Sequence, residues 1–233
     1  MAEITRIFMF DKNEDAILEK RNKSFWLALL GHVCADRAID EGGTILDIGC
    51  HRGGLLSLAG KRFKASHLIG IEPMTVARKL AQERLQHESA SVNIFRENEW
   101  QKIRGNSVDL ILSHEALPFI SDLETLAANI RRVLKPNAFA YIALGCHLEN
   151  PLWPVWRETL RNQGHITYDH SPLSLMKAAG KHELSPSVRA LRDYGWAHYN
   201  PAKEIDFSYP SVEALIDHQF KHKLLFRFQR MDS

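Results

Sequence analysis

The 233-residue sequence lacks most of the features that would direct it to a metal, a membrane or a nucleic acid. Charge of one sign is missing. Thirty Lys plus Arg face 28 Asp plus Glu, a formal net of +2, so no strong field attracts a polyanion or a lipid surface. Nucleic acid is therefore not an expected partner. No apolar run approaches the roughly 20 residues that a bilayer crossing needs, so no membrane is expected either. Cysteine is scarce, since Cys34, Cys50 and Cys146 form an odd set that cannot close a disulfide framework. With no leader peptide recognised before them, a cytoplasmic location is expected. Histidine is plentiful, at 12, but without His-Glu-x-x-His or Cys-x-x-Cys spacing, so no metal site is expected.

What is present is a regular alternation of short apolar runs with amphipathic stretches, the pattern of βαβ units in a mainly parallel sheet. Strands are expected at Thr44–Gly49, His67–Ile71, Val92–Phe95, Val108–Ser113 and Phe139–Leu144. Helices are expected between them at Gly54–Arg62, Thr75–His87 and Leu123–Leu134. Lys135-Pro136-Asn137 should stop the last of these, because proline cannot continue a helix and Asn tolerates the left-handed turn. The expected fold is α/β, a Rossmann-like doubly wound sheet. Residues 1–43 would form an N-terminal helical cap and 44–145 the core. Residues 146–233 would supply a helical lid insert after the fifth strand, then C-terminal strands completing the same domain. The insert is signalled by five Pro and three Trp within residues 150–205, and a final strand by Lys223 to Phe228.

Asp47-Ile48-Gly49-Cys50-His51-Arg52-Gly53-Gly54 follows a strand and opens a helix. A glycine turn there lets backbone N–H groups approach a ligand that a Cβ would exclude. Glu72, followed by Pro73, ends the second strand about 20 residues further on, where an acidic side chain can hold both hydroxyls of an adenosine ribose. These two features together indicate a nucleotide, and they fit NAD as well as any other adenosine ligand.

Further segments, in order, narrow that reading. Arg96-Glu97-Asn98-Glu99 follows the third strand, Val108-Asp109-Leu110-Ile111-Leu112-Ser113 forms the fourth, and Arg131-Arg132-Val133-Leu134-Lys135-Pro136-Asn137-Ala138-Phe139 leads into the fifth. With the glycine turn and Glu72, this series resembles the class I S-adenosylmethionine (SAM)-dependent methyltransferases of small-molecule type, over about residues 44–145. The last segment is similar to that family's "RRVLKPGG" run. The resemblance implies SAM as cofactor, held by Asp47, Gly49, Cys50, His51, Gly53, Glu72, Pro73, Glu97, Asn98 and Ser113. Within that set Glu72 would take the ribose, Glu97 and the Asn98 backbone the adenine, and the Gly49 to Gly53 turn the methionine portion. Ser113 and His114 would lie near the sulfonium.

The chain departs from the family pattern twice. His51 stands where the middle glycine of the turn is usual, with its side chain either turned to solvent or set against the methionine end of the pocket. Pro118 and Phe119 occupy positions where many small-molecule relatives carry a His pair.

Acceptor contacts are expected from the groups that follow the fourth and fifth strands, at the sheet edge where open α/β folds hold ligands. His114, Glu115 and His147 are the candidate catalytic residues, with Glu149 and Asn150 beside them. Either His could serve as a base near neutral pH. Trp153, Trp156 and Tyr168 could close over a substrate or build the insert's own small core. Arg21, just before Phe25 and Trp26, could reach the methionine carboxylate if its helix covers the pocket. The expected activity is methyl transfer from SAM to a small-molecule acceptor. Two alternatives stay open: SAM itself as substrate, cyclising with release of methylthioadenosine, and a catalytically silent scaffold on the same fold.

Overall fold

The computed structural model describes residues 12–192 and 209–231. Helix α1 (Lys12–Ala35) precedes the alternating series β1 (Thr44–Ile48), α2 (Gly54–Phe63), β2 (His67–Ile71), α3 (Thr75–Leu85), β3 (Ser91–Phe95) and β4 (Val108–His114). It continues through α4 (Leu123–Val133), β5 (Leu134–Leu144), α5 (Trp153–Asn162), α6 (Pro172–Lys181) and β6 (Leu184–Ala190). Helix α7 (Val212–Asp217), a π-helical turn at His218–His222 and β7 (Leu224–Arg230) complete it.

The seven strands form one sheet in the order β3-β2-β1-β4-β5-β7-β6. The strands β1 to β5 pair in parallel, while β7 is antiparallel to both β5 and β6. This is the Rossmann-like, mainly parallel arrangement that the alternation implies.

Burial on both faces follows from the crossover helices. Along β1, Ile45 joins the apolar layer of α1 and α2, with Leu29, Leu30, Val33 and Leu56. Leu46 and Ile48 join the opposite layer, with Leu126 and Ile130 of α4 and Leu175 of α6. Each of these fully enclosed aliphatic side chains contributes about 1.5–3 kcal/mol by leaving water.

Two elements differ from the sequence expectation. Strand β5 begins at Leu134, not Phe139, because Val108 pairs with Leu134 before the register shifts and Leu110 pairs with Phe139. The Lys135-Pro136-Asn137 segment is thus an excursion within the strand, with Asn137 at φ 62°, the left-handed geometry anticipated for it. Strand β6 is new. Its Ser-Pro-Ser-Val run reads as irregular, but it lies at the edge of the sheet, where Pro186 needs no second ladder partner.

Candidate active site

The glycine turn crosses the carboxyl edge of β1. Its first amides are spent on the sheet: Gly49 N and Cys50 N both donate to Ile71 O, at 2.8 and 3.1 Å. Gly49 has φ 74°, and a Cβ there would lie 2.4 Å from Ala116 Cβ, so only glycine brings the turn this close to the end of β4. Cys50 points back into the sheet, its Sγ filling the space above Gly70, so its backbone alone faces the turn. Burial pushes its thiol up, away from nucleophilic use.

His51 keeps the glycine-like backbone, at φ 46°, which costs a residue with a Cβ about 1 kcal/mol. Its ring is not turned to solvent. It is enclosed near Glu19 of α1, which binds Arg52 at 3.0 Å and Arg84 at 2.9 Å. Burial, then the Arg52 charge, lower its pKa to about 4. The His51 amide donates to Glu72 Oε2 at 2.9 Å, and the Met74 amide to Glu72 Oε1 at 3.0 Å. Those bonds pin the Glu72 carboxyl at the end of β2, only 3% exposed. Burial nevertheless raises its pKa to about 7.

Asp47, at the end of β1, is 2% exposed, and its Oδ1 has no hydrogen-bond partner among the described residues. Burial and the neighbouring Glu72 charge push its pKa well up. Two desolvated carboxyls therefore flank the turn, an arrangement that a cationic or hydroxyl-bearing ligand relieves. Pro73 continues from Glu72, its carbonyl taken by Arg78. Glu97 and Asn98 sit exposed at the tip of the loop after β3, which Glu99 closes by accepting from Arg96 N at 2.9 Å. Ser113 is buried, and its hydroxyl donates to Ile48 O at 2.9 Å, bridging β4 to β1.

Beyond β4 the expected acceptor groups take different parts. His114 lies beneath α1, with its ring 6.5 Å from Phe25 and 6.2 Å from Trp26. Its Nε2 has no hydrogen-bond partner among the described residues. Burial, then Lys223, lower its pKa to about 3, so it is an unprotonated imidazole. Glu115 is committed elsewhere. Its Oε1 accepts from Gly145 N at 2.7 Å and from Lys223 Nζ, and its Oε2 from Cys146 N at 3.1 Å. Burial opposes its ionisation, yet Lys223 and those donors hold its pKa at about 2, and both of its oxygens are already engaged.

His147 is enclosed and shares a hydrogen bond with His222 O at 2.8 Å, which fixes its proton on Nε2. Its Nδ1 has no partner among the described residues. Asn150 is fully buried, bonded to Gly145 O at 2.6 Å and to His218 Nδ1 at 3.1 Å. Glu149 is exposed.

The aromatic insert forms its own core. Trp153, Trp156 and Leu160 cluster together, with Phe119 and Tyr209 packed against them. Trp156 also presents its ring to His218 at 4.9 Å and to Tyr209 at 5.7 Å, so one face reaches the sheet edge. Tyr168 is half-buried and ties the insert to the turn after β4 through its amide on Pro118 O, at 2.8 Å.

A family model described as a methyltransferase domain matches residues 46–142. Within that span the chain is similar to class I, SAM-dependent methyltransferases. The trans-aconitate 2-methyltransferase of Enterobacter sp. (strain 638) is 24% identical over 139 residues, 58% of this chain and 52% of that protein. The chain thus spans about half the length of that curated relative. Among solved structures, a chain from the complex of the Haloferax volcanii Trm112 methyltransferase activator with its proposed methyltransferase has a TM-score of 0.74 at 18% identity. That likeness covers 92% of this chain and 94% of the other. Geranyl diphosphate C-methyltransferase from Streptomyces coelicolor A3(2), solved with Mg2+, geranyl diphosphate and S-adenosyl-L-homocysteine, has a TM-score of 0.63 at 21% identity. It covers 84% of this chain and 75% of its own. Both share the fold.

Sequence reasoning missed three residues of this candidate site: Lys223, His218 and Tyr209. All come from the C-terminal 25 residues, after the family motifs end. The signal available was Lys223 itself, a lysine opening an otherwise apolar strand. Among the described residues no helix is long and apolar enough to cross a membrane.

Proposed function

We propose that this chain transfers a methyl group from SAM to a small organic acceptor. The observation that carries the proposal is the pair of desolvated carboxyls at the glycine turn, Glu72 pinned by two amides and Asp47 with a buried unpartnered oxygen. This arrangement fits a ligand with vicinal ribose hydroxyls at one end and positive charge at the other. Glu72 would take the ribose through the lone pairs its amide donors leave free. Asp47 and the Gly49, Cys50, His51 and Gly53 backbone would face the methionine portion. Glu97 and Asn98 would edge the adenine. Pro73 would line the ribose side, and Ser113 would hold the β1 and β4 ends at the spacing the sulfonium needs.

SAM when bound supplies an electrophilic methyl group and departs as a neutral thioether. The chain's part is alignment, exclusion of water by Phe25 and Trp26, and removal of a proton if the acceptor atom carries one. His114 Nε2 is the proton acceptor in this reading, because it lies beneath Phe25 and Trp26 with no hydrogen-bond partner among the described residues, so an acceptor hydroxyl or amine can donate to it. His147 stays a second candidate through Nδ1, whereas Glu115 positions the strand ends. Near-neutral charge supports a small acceptor. So do the Enterobacter and Streptomyces proteins, whose names cite trans-aconitate and geranyl diphosphate. A cytoplasmic location belongs to the same reading, supported by a cysteine set that closes no disulfide framework.

Calorimetry with S-adenosylhomocysteine, and mass spectrometry of SAM-derived products with a metabolite pool, test this. Binding is expected, weakened more than fivefold in Glu72→Ala, with S-adenosylhomocysteine formed only when acceptor is present. Methylthioadenosine from SAM alone would overturn the reading in favour of cyclisation. Absence of binding to both SAM and its product would favour a scaffold.

A further inference from the structure

Helix α1 packs over both the glycine turn and the end of β4. Glu19 and Trp26, seven residues apart, share one flank of the helix. That flank meets the glycine turn: Glu19 bridges Arg52 and Arg84, and Trp26 stands where a Cβ on Gly54 would be 2.8 Å away. Arg21 and Phe25, four apart, share another flank. It faces the ends of β4 and β7, with Phe25 4.9 Å from Lys223 Nζ and the Arg21 guanidinium 5.7 Å from the Tyr209 ring. Arg21 is therefore directed away from the turn that would hold the methionine end.

The two sides of α1 face different ionisable groups. On the glycine-turn side the buried ionisable groups are the carboxyls of Asp47 and Glu72. On the other side the Glu115 carboxylate is balanced by Lys223, and the imidazoles of His114, His147 and His218 are all pushed toward the neutral form by burial. Arg21 remains. It is half-buried and has no carboxylate partner among the described residues. Its neighbour Tyr209 is wedged between Trp156, His218 and Arg21, with its ring facing the guanidinium.

We infer that the acceptor carries an anionic group, a carboxylate or a phosphate, and that Arg21 with the Tyr209 hydroxyl binds it on the lid side of α1. The inference rests on the proposed methyl transfer for the word acceptor, but the anion site itself stands on the geometry. A guanidinium offers two parallel N–H donors to either oxyanion, and the aromatic walls strengthen that contact by excluding water. The two contacts then set the orientation of both substrates, the cation against the unpartnered Asp47 oxygen and the anion against Arg21.

The test is calorimetry on the full chain at fixed ionic strength, with and without saturating S-adenosylhomocysteine. The probes are succinate, inorganic phosphate and the neutral analogue succinamide. Succinate or phosphate should bind at least tenfold more tightly than succinamide, and whichever binds names the oxyanion. Arg21→Gln should lose at least tenfold in anion affinity, Arg21→Lys should lose less, and Lys23→Gln, an exposed neighbour, should lose nothing. S-adenosylhomocysteine should bind Arg21→Gln within twofold of the unaltered chain. Equal affinity for succinate and succinamide, or anion binding unchanged in Arg21→Gln, overturns the inference. A tenfold loss of S-adenosylhomocysteine affinity in that variant also overturns it, by placing Arg21 on the methionine carboxylate. Failure of S-adenosylhomocysteine to bind any form would strike the proposed methyl transfer alone, since the anion measurement without it still reads the Arg21 site.

Discussion

Lys223 and Glu115 form a buried ion pair that joins the start of β7 to the end of β4, across the intervening β5. The Lys223 side chain is 3% exposed and that of Glu115 23%. The carboxylate also accepts from the amides of Gly145 and Cys146, so a single side chain gathers three strand ends at the floor of the site. Close approach is required there, because a Cβ on Gly145 would lie 2.6 Å from His218 Cε1 and 2.9 Å from Glu115 Oε1.

Removing one partner of such a pair leaves an uncompensated buried charge. Lys223→Met should lower the free energy of unfolding in urea by about 3–5 kcal/mol, and adding Glu115→Gln should recover part of it. A double variant no more stable than Lys223→Met would show that the charge is not what matters.

Glu72 makes stability depend on pH in an unusual direction. Its folded-state pKa, about 7, lies above the ordinary 4.5, so between those values the folded chain holds a proton that the unfolded chain has released. Its contribution is complete below pH 4.5 and is lost as pH rises through 7. Urea unfolding of the unaltered chain should therefore weaken between pH 5 and 7.5 more than that of Glu72→Gln, by on the order of 3 kcal/mol. Comparing slopes cancels the baseline cost of the substitution, and parallel slopes would refute the assignment.

The turn and the helix above it should respond oppositely to alanine. Gly49→Ala combines a left-handed backbone with a 2.4 Å contact to Ala116 Cβ, and should cost more than 2 kcal/mol and abolish S-adenosylhomocysteine binding. Gly31→Ala in α1 meets nothing within 4 Å and should stabilise the chain by about 0.5–1 kcal/mol. Thermal melts of the two variants check both signs.

His114→Gln should lower kcat at least tenfold for an acceptor whose reacting atom carries a proton, while S-adenosylhomocysteine affinity stays within twofold. An equal loss with an acceptor that carries no proton would assign His114 to positioning rather than to proton removal.

Much of this was legible in the residues. The five parallel strands lie within a few residues of the apolar runs that mark them, because strands buried on both faces must be short and apolar. Glu72 at the end of β2 follows from its spacing to the glycine turn. Glu115 was misleading, since its place after β4 is the same whether it faces a substrate or a lysine more than 100 residues away. His51 was undecidable, because a side chain at a left-handed position can swing either way until α1 encloses it.

Local order thus determined the sheet, its crossover helices and the nucleotide-type turn, since apolar periodicity and glycine geometry act over a few residues. Only the tertiary structure decided which charges neutralise one another. It seats α1 over the glycine turn and the end of β4 and returns β7 beside β5, so that Lys223 cancels Glu115, the His114 ring is packed under Phe25 and Trp26, and Arg21 is left facing Tyr209. The reason is that ionisation and hydrogen bonding answer to distances of a few ångströms in space, which residues far apart in the chain reach only through folding.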